Sequence, residues 1–132
     1  MKFLLDTNVV IYLLGGRLKQ ALPQGDFGVS VITEIELLSF HTLSPDDENV
    51  ARGFLDEVTR YPLTDSIRDQ TIALRRQYRL KLPDALIAAT ALDAGATLLS
   101  NDQRLLVVPS LMVQAVNWPD PCGPQDLPAV AG

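Results

Sequence analysis

The sequence of 132 residues has few of the side chains that form covalent cross-links or soft metal sites. It contains one cysteine, Cys122, and one histidine, His41. A single thiol forms no intramolecular disulfide, and the two residues together are too few for a zinc cage or an iron–sulfur site. His41 has no accompanying nucleophile motif, so a hydrolase triad is unsupported and we expect a surface position for it. The composition excludes the disulfide-stabilised class and favours a reducing compartment.

Basic charge and long apolar runs are also lacking. Lys and Arg total 11 against 16 Asp and Glu, which gives a net charge of −5. This balance excludes attachment to nucleic acid or anionic membrane through net charge alone, but it allows a phosphate substrate held through a metal ion. No apolar run reaches the roughly 18 residues of a membrane span, and Asp6 and Asn8 interrupt the apolar N-terminus before it could act as a signal peptide. We expect a cytoplasmic protein without membrane contact.

Apolar residues are abundant, at 47%, and their arrangement alternates between strand and helix patterns. Strands are predicted over 2–5, 27–31, 61–63, 97–100 and 112–116. Helices are predicted after Asp6-Thr7-Asn8, Ser30, Ser44-Pro45, Thr64-Asp65 and Pro83. This order predicts an α/β fold with a mostly parallel, twisted sheet between helices. The domain is expected to span 1–117, followed by a Pro-rich tail over 118–132 that holds four of the nine prolines.

Four acidic residues occupy positions where a parallel sheet places ligand sites. Asp6 and Asp102 follow predicted strands, and Glu36 and Asp84 are assigned to the first turns of helices. Ligands bind such sheets outside the carboxyl ends of the strands. Clustered carboxylates need a compensating cation, and hard oxygen ligands without His or Cys favour Mg²⁺ or Mn²⁺. Each acid alone is more often a helix cap than a ligand, so the prediction rests on the set.

The second helix offers two acids, and the helical period separates them. Glu34 and Glu36 lie about 200° apart at 3.6 residues per turn. Only one of the two can therefore share a site with the other elements. The period itself does not choose between them.

Four stretches resemble, in order, the motifs of one family: Asp6-Thr7-Asn8, Ser30-Val31-Ile32-Thr33-Glu34-Ile35-Glu36-Leu37, Leu82-Pro83-Asp84-Ala85-Leu86-Ile87-Ala88-Ala89-Thr90-Ala91 and Ser100-Asn101-Asp102. The chain from residue 1 to about 116 resembles the PIN-domain family, and within it the VapC/FitB-type toxins of bacterial toxin–antitoxin pairs. The resemblance implies an α/β/α sandwich and a Mg²⁺- or Mn²⁺-dependent endoribonuclease that leaves 5′-phosphate and 3′-hydroxyl ends. It also implies a VapB-like antitoxin partner and a homodimer or larger assembly.

The resemblance also implies roles for individual residues. The family's four catalytic, metal-binding acids match Asp6, Glu36, Asp84 and Asp102. Glu36 is matched rather than Glu34 because the family places this acid three residues after the position of Thr33. Residues that support the site in the family match Thr7, Asn8 and Ser100. Many relatives carry a further acid and an aromatic where this chain has Leu105 and Leu106, which leaves open whether one or two metals bind.

A basic cluster precedes Asp84 and has two interpretations. It consists of Arg75, Arg76, Arg79 and Lys81. Cations are common at the negative end of a helix dipole, so the cluster fits a solvated helix end. It equally fits a ridge that guides RNA phosphates towards the site. The aromatic residues are expected to pack against the protein rather than to stack on bases; they are Tyr12, Tyr61, Tyr78 and Trp118.

Two other functions remain alternatives. A haloacid-dehalogenase-like phosphatase also uses an Asp after its first strand, but that chemistry needs a second Asp where this chain has Asn8. A catalytically silent PIN fold that only binds a partner is the other alternative. The presence of all four acids argues against it, because a degenerate site is expected to have lost at least one.

Overall fold

The structure, a computed structural model, describes residues 1–15 and 22–116. The described chain contains β1 (Lys2–Leu5), α1 (Thr7–Leu14), β2 (Asp26–Ser30), α2 (Val31–Leu38), α3 (Pro45–Glu57), β3 (Thr59–Tyr61), α4 (Asp65–Tyr78), α5 (Leu82–Ala94), β4 (Thr97–Leu99), a 3₁₀ helix (Gln103–Val107) and β5 (Val113–Gln114). The predicted alternation of strands and helices is confirmed. The Pro-rich tail, with Trp118 and Cys122, lies outside the described residues.

The five strands form one sheet in the order β3-β2-β1-β4-β5, and all four pairings are parallel. The chain adds strands on one side of β1 as far as β3 and then crosses to the other side for β4 and β5. The strand order therefore reverses between β1 and β4. In open parallel sheets such a switch point opens a crevice at the carboxyl ends of the strands, where ligands bind.

Helices cover both faces of the sheet, which confirms the α/β/α arrangement. On one face, Leu4 and Leu98 share a buried cluster with α4 and α5. On the other face, Phe3, Leu5 and Leu99 pack with residues of α1, α2 and α3. Successive strand residues point to opposite faces, so the short apolar strands contribute to both cores.

Polar caps explain where most helices begin. Asp6, Ser30, Ser44 and Thr64 each accept a hydrogen bond from a backbone N–H in the first turn of the helix that follows. Such caps pair backbone donors that a helix leaves free at its start. The helix starts were therefore readable from the sequence.

Strand boundaries differ more from the prediction. The third strand occupies Thr59–Tyr61 rather than 61–63, and the fifth shortens to Val113–Gln114. Strand ends depend on the partner strand: β3 pairs with β2, and the Tyr61 ring lies over Gly28, where a Cβ atom would come within 2.4 Å of it. The 3₁₀ helix at Gln103–Val107 was not predicted. None of the described helices is long and apolar enough to cross a membrane.

Candidate active site

A cavity of about 160 Å³ opens at the switch point between β1 and β4, and all four predicted acids line it. Its other lining residues include Thr7, Asn8 and Arg104. The acids come from distant parts of the chain: the end of β1, α2, the start of α5 and the turn after β4. We call this space the acidic cavity. The fold thus brings together the acids and two of the three predicted supporting residues, and Ser100 contacts the cavity through Asp6.

Asp6 is the most buried of the four acids, at 8% exposure. It caps α1, and its Oδ1 accepts a hydrogen bond from the Thr7 N–H at 2.8 Å. The Ser100 hydroxyl donates to its Oδ2 at 2.6 Å, across the β1–β4 boundary. Both carboxylate oxygens are therefore held in place by groups at the ends of the two central strands.

Glu36 faces the acidic cavity and Glu34 does not. The Thr7 hydroxyl donates to Glu36 Oε1 at 2.7 Å, and the buried Thr33 hydroxyl lies 2.9 Å from the Thr7 hydroxyl. Since Thr7 gives its proton to Glu36, Thr33 donates to Thr7. Glu34 instead forms an ion pair with Arg60 at 3.4 Å. The assignment of Glu36 to a first turn was wrong: α2 begins at Val31, so Glu36 lies in the second turn, because Ser30 caps the helix directly after β2.

Arg104 was not predicted as a site residue, yet it makes the closest contacts to two of the acids. Its Nη2 lies 2.7 Å from Asp102 Oδ2 and 3.7 Å from Asp84 Oδ2. Its Nε also donates to Asp102 Oδ1 at 3.0 Å. The guanidinium therefore offsets part of the negative charge of the acidic cavity. The unpredicted 3₁₀ helix places it there, and an Arg two residues after a candidate ligand was the available signal.

Burial and charge shift the pKa values of the three aspartates differently. Burial raises the pKa of Asp6, although the bonds from Ser100 and Thr7 oppose this and the charges of Asp84 and Asp102 add to it. Burial also raises the pKa of Asp84, against the opposing charge of Arg104. The hydrogen bond from Arg104 lowers the pKa of Asp102. A nearby cation favours the ionised form of Asp6 and Asp84, the two acids with raised pKa values.

The donor set fits a hard divalent cation. Four carboxylates line the acidic cavity, together with the amide side chain of Asn8. Oxygen donors without His or Cys suit Mg²⁺ and Mn²⁺. Across residues 1–15 and 22–116, however, no three acidic, His or Cys side chains are close enough to form a ready-made metal cage. Arg104 contacts Asp102 and approaches Asp84, so its guanidinium supplies positive charge next to two of the acids that would hold a metal.

The four residues of the basic cluster lie in different environments in the structure. Arg79 and Lys81 line a cavity next to Asp84, whereas Arg75 donates through Nε to the Leu80 carbonyl at 3.3 Å. Arg76 is exposed on α4. His41 is exposed and Tyr12 is fully buried, in line with the sequence expectations for both.

Sequence comparison assigns the domain directly. The family description "PIN domain" matches residues 3–111. The chain belongs to the PIN domain family. Proteins of this family are generally nucleases, and the resemblance inferred from the four motifs is confirmed.

Solved structures of PIN domains share the fold over nearly the whole described chain. A toxin–antitoxin complex from Klebsiella pneumoniae matches with 30% identity and a TM-score of 0.69, covering 83% of this chain and 94% of that one. VapBC2 from Rickettsia felis, bound to a DNA fragment from its promoter, matches with 19% identity and a TM-score of 0.75, covering 89% and 100%. FitAcB from Neisseria gonorrhoeae matches with 21% identity and a TM-score of 0.60, covering 84% and 95%. No functionally curated protein matches the sequence.

Proposed function

We propose that this PIN domain is a Mg²⁺-dependent endoribonuclease that acts as the toxin of a toxin–antitoxin pair. One observation carries the proposal: four acids from separate elements line a single cavity at the switch point of a parallel sheet. Membership of a nuclease family supports the reaction class. The toxin–antitoxin complexes among its structural relatives support the biological role.

In this proposal, Asp6, Asp84 and Asp102 hold the metal, and Glu36 binds it directly or through water. Mn²⁺ is an alternative ion, because the donors are all hard oxygens. A divalent ion in such a site lowers the pKa of bound water and stabilises charge on phosphate oxygens.

The protein's own groups keep the acids in position. Ser100 and the Thr7 N–H fix the Asp6 carboxylate, and the Thr33–Thr7 pair fixes Glu36. Arg104 neutralises part of the charge on Asp102 and Asp84. Asn8 adds a polar group at the cavity wall. A preorganised arrangement of this kind reduces the reorganisation needed when substrate arrives.

The proposed partners are an RNA substrate, a VapB-like antitoxin and a second copy of the chain. Structural relatives that are VapBC2 and FitAcB complexes support the antitoxin partner. We propose that RNA contacts this side of the site through members of the basic cluster, whose residues are Arg75, Arg76, Arg79 and Lys81. We propose a cytoplasmic location, in keeping with an RNA substrate.

The phosphatase alternative is less well supported than the nuclease. Its second Asp is absent at Asn8, and the family match favours phosphodiester chemistry. A phosphatase of that class would form a covalent phosphoryl intermediate on Asp6. Incubation with a phosphoryl donor followed by mass measurement of the intact protein tests this alternative directly.

The decisive experiment exploits the two glutamates of α2. Glu36→Gln removes a carboxylate from the acidic cavity, whereas Glu34→Gln removes one from an exposed pair with Arg60. Each variant is expressed from a tightly controlled promoter and new 5′ ends are mapped across cellular RNA. We expect discrete new ends and growth arrest with the wild type and Glu34→Gln, and neither with Glu36→Gln or Asp6→Asn. Identical RNA ends from all four proteins would reject the assigned site.

A further inference from the structure

A second cavity, of about 280 Å³, adjoins the acidic cavity and shares Asp84 and Arg104 with it. The loop between α4 and α5 and the end of the 3₁₀ helix form its remaining walls. These walls consist of Tyr78, Arg79, Leu80, Lys81 and Val107. We call this space the α4–α5 cavity.

The charge of the α4–α5 cavity is opposite to that of its neighbour. Arg79, Lys81 and Arg104 face a single acid, Asp84. Arg104 already pairs with Asp102. Within the described chain, no ion pair engages Arg79 or Lys81. Lys81 also exerts a charge effect on Asp84. A pair of cations beside a proposed phosphodiester site is suited to holding the neighbouring phosphate.

The remaining wall is aromatic and apolar. Tyr78 is half-buried: part of its ring packs on the core under α4 and α5, and it also lines the cavity. Val107 is 49% exposed despite being apolar. Unpaired RNA bases stack on aromatic side chains and tolerate apolar neighbours. Tyr78 can therefore pack against the core, as the sequence predicts, and still offer its exposed part to a base.

The α4–α5 loop contains a backbone conformation that is unusual for a residue with a side chain. Arg79 has φ of 56° and ψ of 34°, a left-handed conformation usually taken by glycine at the end of a helix. The Arg75 side chain donates to the Leu80 carbonyl and secures the loop from the helix side. Arg79 therefore occupies a position where glycine would be less strained.

We propose that the α4–α5 cavity binds one nucleotide of a single-stranded RNA, adjacent to the phosphodiester bond that enters the acidic cavity. Arg79 and Lys81 contact its phosphate, and Tyr78 stacks against its base. This inference rests on the proposed nuclease function and specifies which half of the basic cluster touches the substrate. Arg75 and Arg76 lie outside the contact.

Binding is measured without cleavage, using fluorescein-labelled decauridylate and fluorescence anisotropy in buffer with EDTA. We expect Arg79→Ala combined with Lys81→Ala to weaken binding roughly tenfold and to reduce the slope of log affinity against log salt by about 0.7, since the single-strand phosphate contact that both cations share accounts for about 0.7. The matched control is Arg76→Ala, a cation of the same cluster outside the cavity, for which we expect an unchanged affinity.

The base contact is tested separately. We expect Tyr78→Leu to weaken decauridylate binding about fivefold at an unchanged salt slope, because stacking carries no charge. Tyr78→Phe keeps the ring and is expected to bind like the wild type. Because Tyr78 also packs on the core, thermal unfolding of Tyr78→Leu is measured first, and the Phe variant and the charge variants test the site if Leu does not fold.

The outcomes separate the α4–α5 cavity from the nuclease proposal. Variant-sensitive oligonucleotide binding without Glu36-dependent cleavage would support the nucleotide site and reject the nuclease. Glu36-dependent cleavage with equal decauridylate affinity for the wild type, the double variant and Arg76→Ala would reject the nucleotide site alone. Absence of decauridylate binding to the wild type would also overturn it.

Discussion

Arg104 and the three aspartates of the acidic cavity shift one another's pKa values. The guanidinium contacts Asp102 and approaches Asp84, while burial raises the pKa of Asp6 and Asp84. Under the proposed metal-dependent function, Arg104 and a divalent metal compete for the same carboxylates. The acidic cavity contains four carboxylates that attract a cation, and the guanidinium of Arg104 is a cation already present there.

The competition predicts that removing the guanidinium strengthens metal binding. We expect Arg104→Gln to bind Mn²⁺ roughly twofold to fivefold more tightly than the wild type by isothermal titration calorimetry. This range corresponds to the modest free energy of partly exposed ion pairs. Arg68→Gln, which removes a cation paired with Asp65 and Asp69 on the surface of α4, is the matched control and should leave Mn²⁺ affinity unchanged. Weaker Mn²⁺ binding by Arg104→Gln would contradict competition.

Asp6 predicts a stability difference that depends on pH. Its pKa in the folded protein is raised by burial, so ionising it costs more in the folded state than in the unfolded state. Protonated Asp6 therefore does not destabilise the fold below its unfolded pKa. As pH rises through the folded pKa, ionisation of the buried carboxyl group lowers the free energy of unfolding. We expect Asp6→Asn to raise the melting temperature at neutral pH in EDTA, and this gain to shrink as pH falls towards 4. A gain that grows on acidification would contradict the assignment.

At the scale of elements, two glycines test how local conformation stabilises helices. Gly95 ends α5 with φ of 65°, and a Cβ there meets no atom within 4 Å. Gly53 lies exposed inside α3, again with no atom near a Cβ. The two positions therefore differ in backbone conformation and not in available space.

The two glycines predict that replacement by alanine changes the free energy of unfolding in opposite directions at positions 95 and 53. We expect Gly95→Ala to lower the free energy of unfolding by about 1 kcal/mol, because a side chain disfavours the left-handed conformation. We expect Gly53→Ala to raise it by about 0.5–1 kcal/mol, because alanine favours the helix interior. Urea denaturation followed by circular dichroism measures both. The same sign for both variants would show that backbone conformation does not decide the outcome.

Elements were predictable where local chemistry fixed them. Ser30, Ser44 and Thr64 cap the helices that they were predicted to start, and the first strand has its predicted bounds. The third strand shifted by two residues because its pairing with β2 is a long-range choice. The 3₁₀ helix after Asp102 carries no strong local signal, so the spacing of Arg104 from Asp102 was the only sequence feature that pointed to its place in the site.

For the whole molecule, the acidic cavity predicts that divalent ions stabilise the fold. A ligand that binds only the folded state raises the free energy of unfolding in proportion to the logarithm of its concentration. We expect millimolar MgCl₂ to raise the melting temperature of the wild type, and NaCl at matched ionic strength to leave it unchanged. Asp84→Asn should reduce the magnesium effect, whereas Asp26→Asn, an exposed acid at the start of β2, should retain it. Equal responses of the two variants would place the bound ion elsewhere.

The structure shows where part of the acidic charge of the molecule lies. The net charge of −5 excluded a generally basic RNA-binding surface. In the fold, four of the acids share the acidic cavity, and cations of the basic cluster line the adjoining α4–α5 cavity. Under the proposed nuclease function, RNA approaches the acidic cavity past these cations, although the protein as a whole is acidic.

The sequence by itself determined the alternation of elements, the parallel sheet, the family and the acids that could serve a metal. These follow from residue type and from spacing along the chain, which are local properties. Only the tertiary structure decided that the acids share one cavity, that Glu34 turns away to Arg60, and that Arg104 stands among the carboxylates. Those contacts join segments as far apart as β1 and the turn after β4. Their geometry depends on how the sheet and helices pack together.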